Sequence, residues 1–116
     1  MKISDSIDGN VVVMQISGKI SGADSDVVAQ FHEKIHQHID AGKSSFVIDF
    51  GKVPMMTSIG IGMLTRCFAT IKEAEGHMVL TNVENVERII DMVGLLRYFQ
   101  VFDSVEDAKS AMMARQ

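Results

Sequence analysis

The chain has 116 residues, 47% of them hydrophobic, enough to bury one core and so a single domain over residues 1–116, but not two. A net charge of -4 with scattered basic residues excludes a nucleic-acid footprint and directs attention to protein partners. No apolar run approaches the roughly 18 residues that cross a bilayer, and the opening Met1-Lys2-Ile3-Ser4-Asp5-Ser6 lacks the order of a signal peptide, so the expected setting is the cytosol without membrane insertion.

Residues 2–8, with Ile3 and Ile7, predict a weak edge strand, and Gly9-Asn10 supplies a hairpin turn into the β-branched run Val11 to Ile16, closed by Gly18. Ser21-Gly22-Ala23-Asp24 reads as a capping box with aspartate in place of glutamate. Val27, Val28, Phe31, Ile35 and Ile39 then recur at helical spacing until Ala41-Gly42. Phe46 to Phe50 is an unbroken apolar run around Val47 and Ile48 with Asp49 near its end, a buried central strand. A loop with the only proline, Pro54, leads to a second helix from Ser58 to about Ala74.

In that helix Ile59, Met63, Cys67 and Ile71 form one row, Leu64 and Phe68 an adjacent one, and Gly76 is the expected stop. Met78 to Leu80 predicts a short strand, Thr81-Asn82 a turn, and Glu84 to Met92 a brief helix closed by Gly94. Val101-Phe102 is a last strand candidate. Asp103 or Ser104 would cap a final helix whose Val105, Ala108 and Met112 share a face. Strands alternating with helices imply crossovers, hence an α/β fold with a mixed, mainly parallel sheet of about four to five strands, an N-terminal hairpin and about four helices.

Several patterns suggest chemistry. His32-Glu33-Lys34-Ile35-His36 matches the H-E-x-x-H zinc pattern, but Ile39 and Gly42 stand where its longer form has a glycine and a third histidine. A solvated, histidine-rich outer face is the better reading, no metal or other cofactor is expected, and a zinc hydrolase stays a remote alternative. Asp49 resembles a receiver phosphoacceptor, yet Val11 to Gly18 holds no carboxylate for magnesium and Gln100 to Phe102 no lysine. Its bland role is to bond nearby backbone. Cys67, inside an apolar row, reads as a structural thiol.

Ser58 has no G-x-S-x-G elbow, since Met56 takes the first glycine position, so a serine nucleophile is not indicated and the chain is not read as an enzyme. As N-cap it would offer its hydroxyl to the free amides of the first turn, which Gly60 and Gly62 would leave uncovered and open to negative charge. One of Met55 and Met56 is expected at the surface and Met63 in the core. Met56, Ile59 and Ile61 are candidate apolar contacts for a partner, with Gly60 as the expected point of close approach.

These residues resemble the STAS family, in particular its anti-sigma factor antagonists. Ile48-Asp49-Phe50 leading to Thr57-Ser58-Ile59-Gly60-Ile61-Gly62-Met63-Leu64 is similar to the family's D-S-S-G-L-G-x-L, and Ile90-Asp91-Met92-Val93-Gly94-Leu95 to its F-D-M-S-G-L. Gly18-Lys19-Ile20 matches its G-x-L, and Phe102 to Ala108 its closing strand and helix. The resemblance implies a non-enzymatic switch. The unphosphorylated antagonist binds an anti-sigma serine kinase, the kinase phosphorylates the serine matching Ser58, and a phosphatase resets it. The implied partner surface is Ser21, Met56, Thr57, Ile59, Gly60, Ile61 and Gly62, with Thr57 the weaker candidate for phosphate. Thr57 and Ser21 replace acidic residues of the family, and Ile59 its second serine. The family also supplies subunits of transporter complexes and signalling scaffolds, the alternative role.

Overall fold

The computed structural model describes residues 1–114. Residues 115 and 116, the end of the expected domain, lie outside the described residues. Five strands form one sheet in the order β1-β2-β3-β4-β5: β1 Lys2–Asp8, β2 Val11–Ser17, β3 Ser45–Lys52, β4 His77–Thr81 and β5 Gln100–Phe102. β1 runs antiparallel to β2, from which it is separated by the expected turn, with Gly9 at φ 62. The remaining pairs are parallel, so their C-terminal ends lie along one edge of the sheet.

Alternation along the strands divides the core in two. Val12, Met14, Ile16, Phe46, Ile48, Phe50, Met78 and Leu80 point to the face covered by helices α1 (Ser25–Asp40), α2 (Ser58–Glu73) and α3 (Glu87–Met92). Val11, Val13, Val47 and Val79 point the other way, onto Ala108 and Met112 of α4 (Val105–Met113). This is why β3 reads as a continuous apolar run: it is covered on both faces.

The observed sheet and four helices match the expected α/β fold, while several boundaries shift for local reasons. The Ser21–Asp24 box opens a single 3-10 turn, Gly22–Asp24, before α1 begins at Ser25. α3 starts at Glu87 and not at Glu84, because the Val83 carbonyl accepts from the Val86 amide at 2.8 Å and the Glu87 amide at 2.6 Å, closing a turn whose two valines are buried. Gly76 is not the residue that reverses the chain after α2. Glu75 takes the left-handed conformation at φ 61, and Gly76 is needed for space: a Cβ there would stand 2.6 Å from the Ser44 carbonyl oxygen. Ser104, rather than Asp103, caps α4, accepting from the Asp107 amide at 3.1 Å.

Candidate functional site

Two loops at the C-terminal edge of the parallel sheet are stitched together beside the start of α2. The Gly18 amide donates to the Lys52 carbonyl at 2.9 Å, the Ile20 amide to that of Met55 at 3.2 Å, and the Thr57 amide to that of Ile20 at 2.9 Å. Ile20 and Met56 form an isolated bridge and both are buried. Alternation then turns Met55 outward, so of the two loop methionines Met55 is 47% exposed and Met56 only 5%. The expected contact at Met56 is therefore corrected: its side chain is a floor under the helix start.

Gly60 has a reason within the domain to lack a side chain. It is buried against Met56, and a Cβ built on it would lie 2.6 Å from Met56 Sδ and 3.0 Å from Met56 Cβ. Its lack of a side chain is required by packing within the domain. Gly62, with open space around its Cα, is at the surface, while Ile61 is half-buried.

The N-cap of α2 is Thr57, not Ser58. Thr57 holds the extended conformation of a cap (φ -93, ψ -174), and its Oγ1 accepts from the Ile59 amide at 3.3 Å. The same hydroxyl donates to the Ile20 carbonyl at 3.5 Å, and the Thr57 carbonyl accepts from the Gly60 amide at 2.9 Å. The amides expected to be bare are thus partly satisfied by the cap. Ser58 follows in the first helical position, exposed, its hydroxyl making no hydrogen bond among the described residues. No acidic residue lies in that first turn.

Ile59 is 40% exposed and passes 4.0 Å from where a Gly22 Cβ would be, placing the 3-10 turn against the helix start. Ser21, half-buried, directs its amide and its hydroxyl to Asp24 Oδ2, each at 3.1 Å, and the terminal ammonium of Met1 approaches Asp24 Oδ1 at 3.4 Å. Those contacts, led by the Ser21 amide, lower the Asp24 pKa. The surface around Ser58 thus consists of Met55, Thr57, Ile59, Ile61 and Gly62, bordered by Ser21.

Asp49 sits behind this edge, 5% exposed, and it does more than the single backbone bond the sequence suggested. Its Oδ1 accepts from the Gly51 amide at 3.0 Å, Thr81 Oγ1 at 3.2 Å and Asn82 Nδ2 at 2.9 Å, and its Oδ2 from Gln15 Nε2 at 3.0 Å. Burial pushes its pKa up, but the donors from Asn82, Gln15, Gly51 and Thr81 together prevail and hold it below the ordinary carboxylate range. The carboxylate ties the ends of β2, β3 and β4 together, and Asn82 adopts φ 55 to reach it. The signal in the sequence was a lone acid in a buried strand, which always asks for donors.

Of the histidines expected on a solvated outer face, His36 is exposed, while His32 and His38 are half-buried and partnered. His32 Nε2 lies 2.9 Å from Thr70 Oγ1 on α2, and the His32 and His36 rings meet edge to face at 4.6 Å. Burial first, then Arg66 and His36, lowers the His32 pKa. His38 turns away to Asp5 Oδ2 at 2.7 Å. Among the described residues no three His, Cys, Asp or Glu side chains are grouped to hold a metal. Cys67 is fully buried and burial pushes its thiol up to about 12, so the nucleophilic thiolate is suppressed.

A mainly parallel sheet led by a hairpin, with an exposed serine beginning the helix after the central strand, defines a small α/β module. The chain belongs to the STAS domain family, which it matches over residues 2–108. It is 25% identical over 113 residues to BtrV of Bordetella bronchiseptica, a candidate anti-sigma factor antagonist, covering 96% of this chain and 94% of that one. Its fold is similar to that of RsbS from Moorella thermoacetica (TM-score 0.82, 18% identity, 100% of both chains). It is also similar to the phosphorylated form of the Bacillus cell fate determinant SpoIIAA (TM-score 0.73, 18% identity, 95% of this chain and 98% of that one). No helix among the described residues is long and apolar enough to cross a membrane.

Proposed function

We propose that this chain is an anti-sigma factor antagonist that acts by binding and not by catalysis, with Ser58 as the residue through which a serine kinase switches it off. The observation that carries the reading is the contrast between two adjacent hydroxyls. Thr57 Oγ1 is engaged with Ile59 and Ile20, whereas Ser58 is exposed and has no hydrogen-bond partner for its hydroxyl among the described residues. A kinase acting here finds one free acceptor, and phosphate on it displaces no internal hydrogen bond.

The consequence for binding follows from charge. Phosphate adds about -1.5 to -2 charge, and the helix terminus favours it by only about 0.3–1 kcal/mol. The first turn holds no carboxylate to repel it, so the domain tolerates the change. A partner fitted to a neutral serine among Met55, Ile59 and Ile61 would have to desolvate that dianion, at a cost of several kcal/mol. Binding loses where folding does not. The unmodified form is then the one that holds the anti-sigma kinase, and a phosphatase that removes the phosphate restores it.

The test is incubation with the cognate kinase and ATP, followed by peptide mass spectrometry and binding assays. Phosphate is expected on Ser58, with Ser58→Ala binding the kinase constitutively and Ser58→Asp at least tenfold more weakly at an unchanged Tm. Phosphate on Thr57 alone, or on neither residue, would overturn the proposal.

A further inference from the structure

Along the same edge of the sheet, on the far side of β4 from the Ser58 loop, a groove of about 350 Å³ opens between α3, the 3-10 turn Leu96–Tyr98 and β5. Its apolar lining is Val83, Leu96, Val101 and Phe102. Val101, on the edge strand, is 39% exposed. Glu84, Glu87 and Asp103, all exposed, complete the lining.

None of these three carboxylates makes an ion pair or a side-chain hydrogen bond among the described residues, and no lysine or arginine lines the groove. The guanidinium of Arg97, next in sequence to Leu96, lies over the Tyr98 ring, 5.2 Å from its centroid. Three exposed carboxylates lining one groove, with no basic residue among its walls, make it complementary to a cation, and its apolar walls suit an aliphatic chain. One kind of occupant answers both features: a cation carried on an aliphatic stem, with the stem against the apolar walls and the head at the carboxylates.

We infer that this groove receives an arginine or lysine side chain, flanked by an apolar residue, from a protein partner. Val83 and Glu84 follow β4 and Asp103 follows β5, so the groove continues the edge on which Ser58 stands. A single partner can span both, and it is this continuity that favours a protein segment over a free small cation. That the partner is the kinase rests on the function proposed above; that the groove takes a basic side chain does not.

The experiment is an NMR titration of the 15N-labelled full chain with a blocked Leu-Arg-Leu peptide, with Leu-Gln-Leu and spermidine as comparisons. Saturable shifts are expected at the amides of Glu84, Glu87, Val101 and Asp103. They should be at least tenfold weaker for Leu-Gln-Leu and for the Glu84→Gln, Glu87→Gln, Asp103→Asn triple variant, which removes only exposed charge. Shifts that are absent, equal for Leu-Gln-Leu, or unchanged in the triple variant would overturn the inference. So would spermidine binding as tightly as the peptide, which would assign the groove to a free cation. A second measurement separates the two proposals: a kinase that binds wild type and triple variant alike overturns the groove as a partner contact. A chain that binds no kinase overturns the function instead, and the titration still decides the groove.

Discussion

Gly60 and Met56 show what one missing side chain accomplishes at the start of α2. Helix propensity alone favours Gly60→Ala by about 0.5–1 kcal/mol. Yet the added Cβ would lie 2.6 Å from Met56 Sδ, 3.0 Å from its Cβ and 3.1 Å from its Cγ, contacts that swinging the flexible thioether cannot all relieve. Overpacking of that kind costs about 1–3 kcal/mol, so the clash prevails. We expect Gly60→Ala to lower stability and Met56→Ala to lower it by roughly 2–4 kcal/mol through the cavity left. The double variant should lose at least 1 kcal/mol less than the sum, because each change accommodates the other. Denaturant unfolding of the four proteins checks this, and simple additivity would refute it.

Asp49 yields a pH prediction whose sign follows from its lowered pKa. A carboxylate with a depressed folded-state pKa contributes stability above its unfolded value near 3.9, and loses it as pH falls through the folded pKa. In Asp49→Asn the amide nitrogen would replace Oδ2, whose one partner, Gln15, can present its oxygen by an amide flip. The three donors on Oδ1 keep their acceptor. That variant should lose about 1–2 kcal/mol at pH 7, the difference between charged and neutral acceptors, with a flatter acid limb of stability against pH. Asp49→Ala strands the donors and should cost more, about 3–5 kcal/mol at pH 7.

The end of α2 separates two uses of small or strained backbone within two consecutive residues. Glu75 occupies the left-handed region at φ 61, where a side chain is strained, so Glu75→Gly should stabilise by about 0.5–1 kcal/mol. Gly76 is not in that region but is pressed between the Ser44 carbonyl oxygen, 2.6 Å from a built Cβ, and Ile71 Cγ2 at 2.9 Å. Because the first of these is backbone and cannot rotate away, Gly76→Ala should destabilise by about 1–3 kcal/mol. Thermal unfolding of the two variants should move in opposite directions from wild type. A fall in both would show that the Glu75 side chain matters more than its strained backbone.

Coverage of the sheet is unequal at the scale of the molecule. Three helices lie on one face, and α4 alone covers Val11, Val13, Val47 and Val79 on the other, through Ala108 and Met112. A face closed by nine residues has little redundancy. Met112→Ala is expected to cost about 2–4 kcal/mol. It should also raise amide exchange throughout α4, whereas the α2 and Ser58 region keeps its protection. Uniform loss of protection across both faces would contradict that division.

Sequence alone determined the features that depend on short-range pattern. The two-residue hairpin turn, the continuous apolar β3 and the row of Met63, Cys67 and Ile71 were legible because periodicity and turn chemistry act within a few residues. So was the alternation that makes the fold α/β, and with it the position of Ser58 at a helix start. Tertiary structure decided what each residue at that start does. Met55 and Met56 are chemically the same, and only pairing of Ile20 with Met56 across two loops sends one outward and one inward. Likewise Thr57 becomes the cap because its hydroxyl and amide meet Ile20, 37 residues earlier in the chain. The groove walled by Glu84, Glu87 and Asp103 exists only once β5 is laid beside β4. Contacts between distant residues carry no local periodicity, so the sequence alone could not assign them.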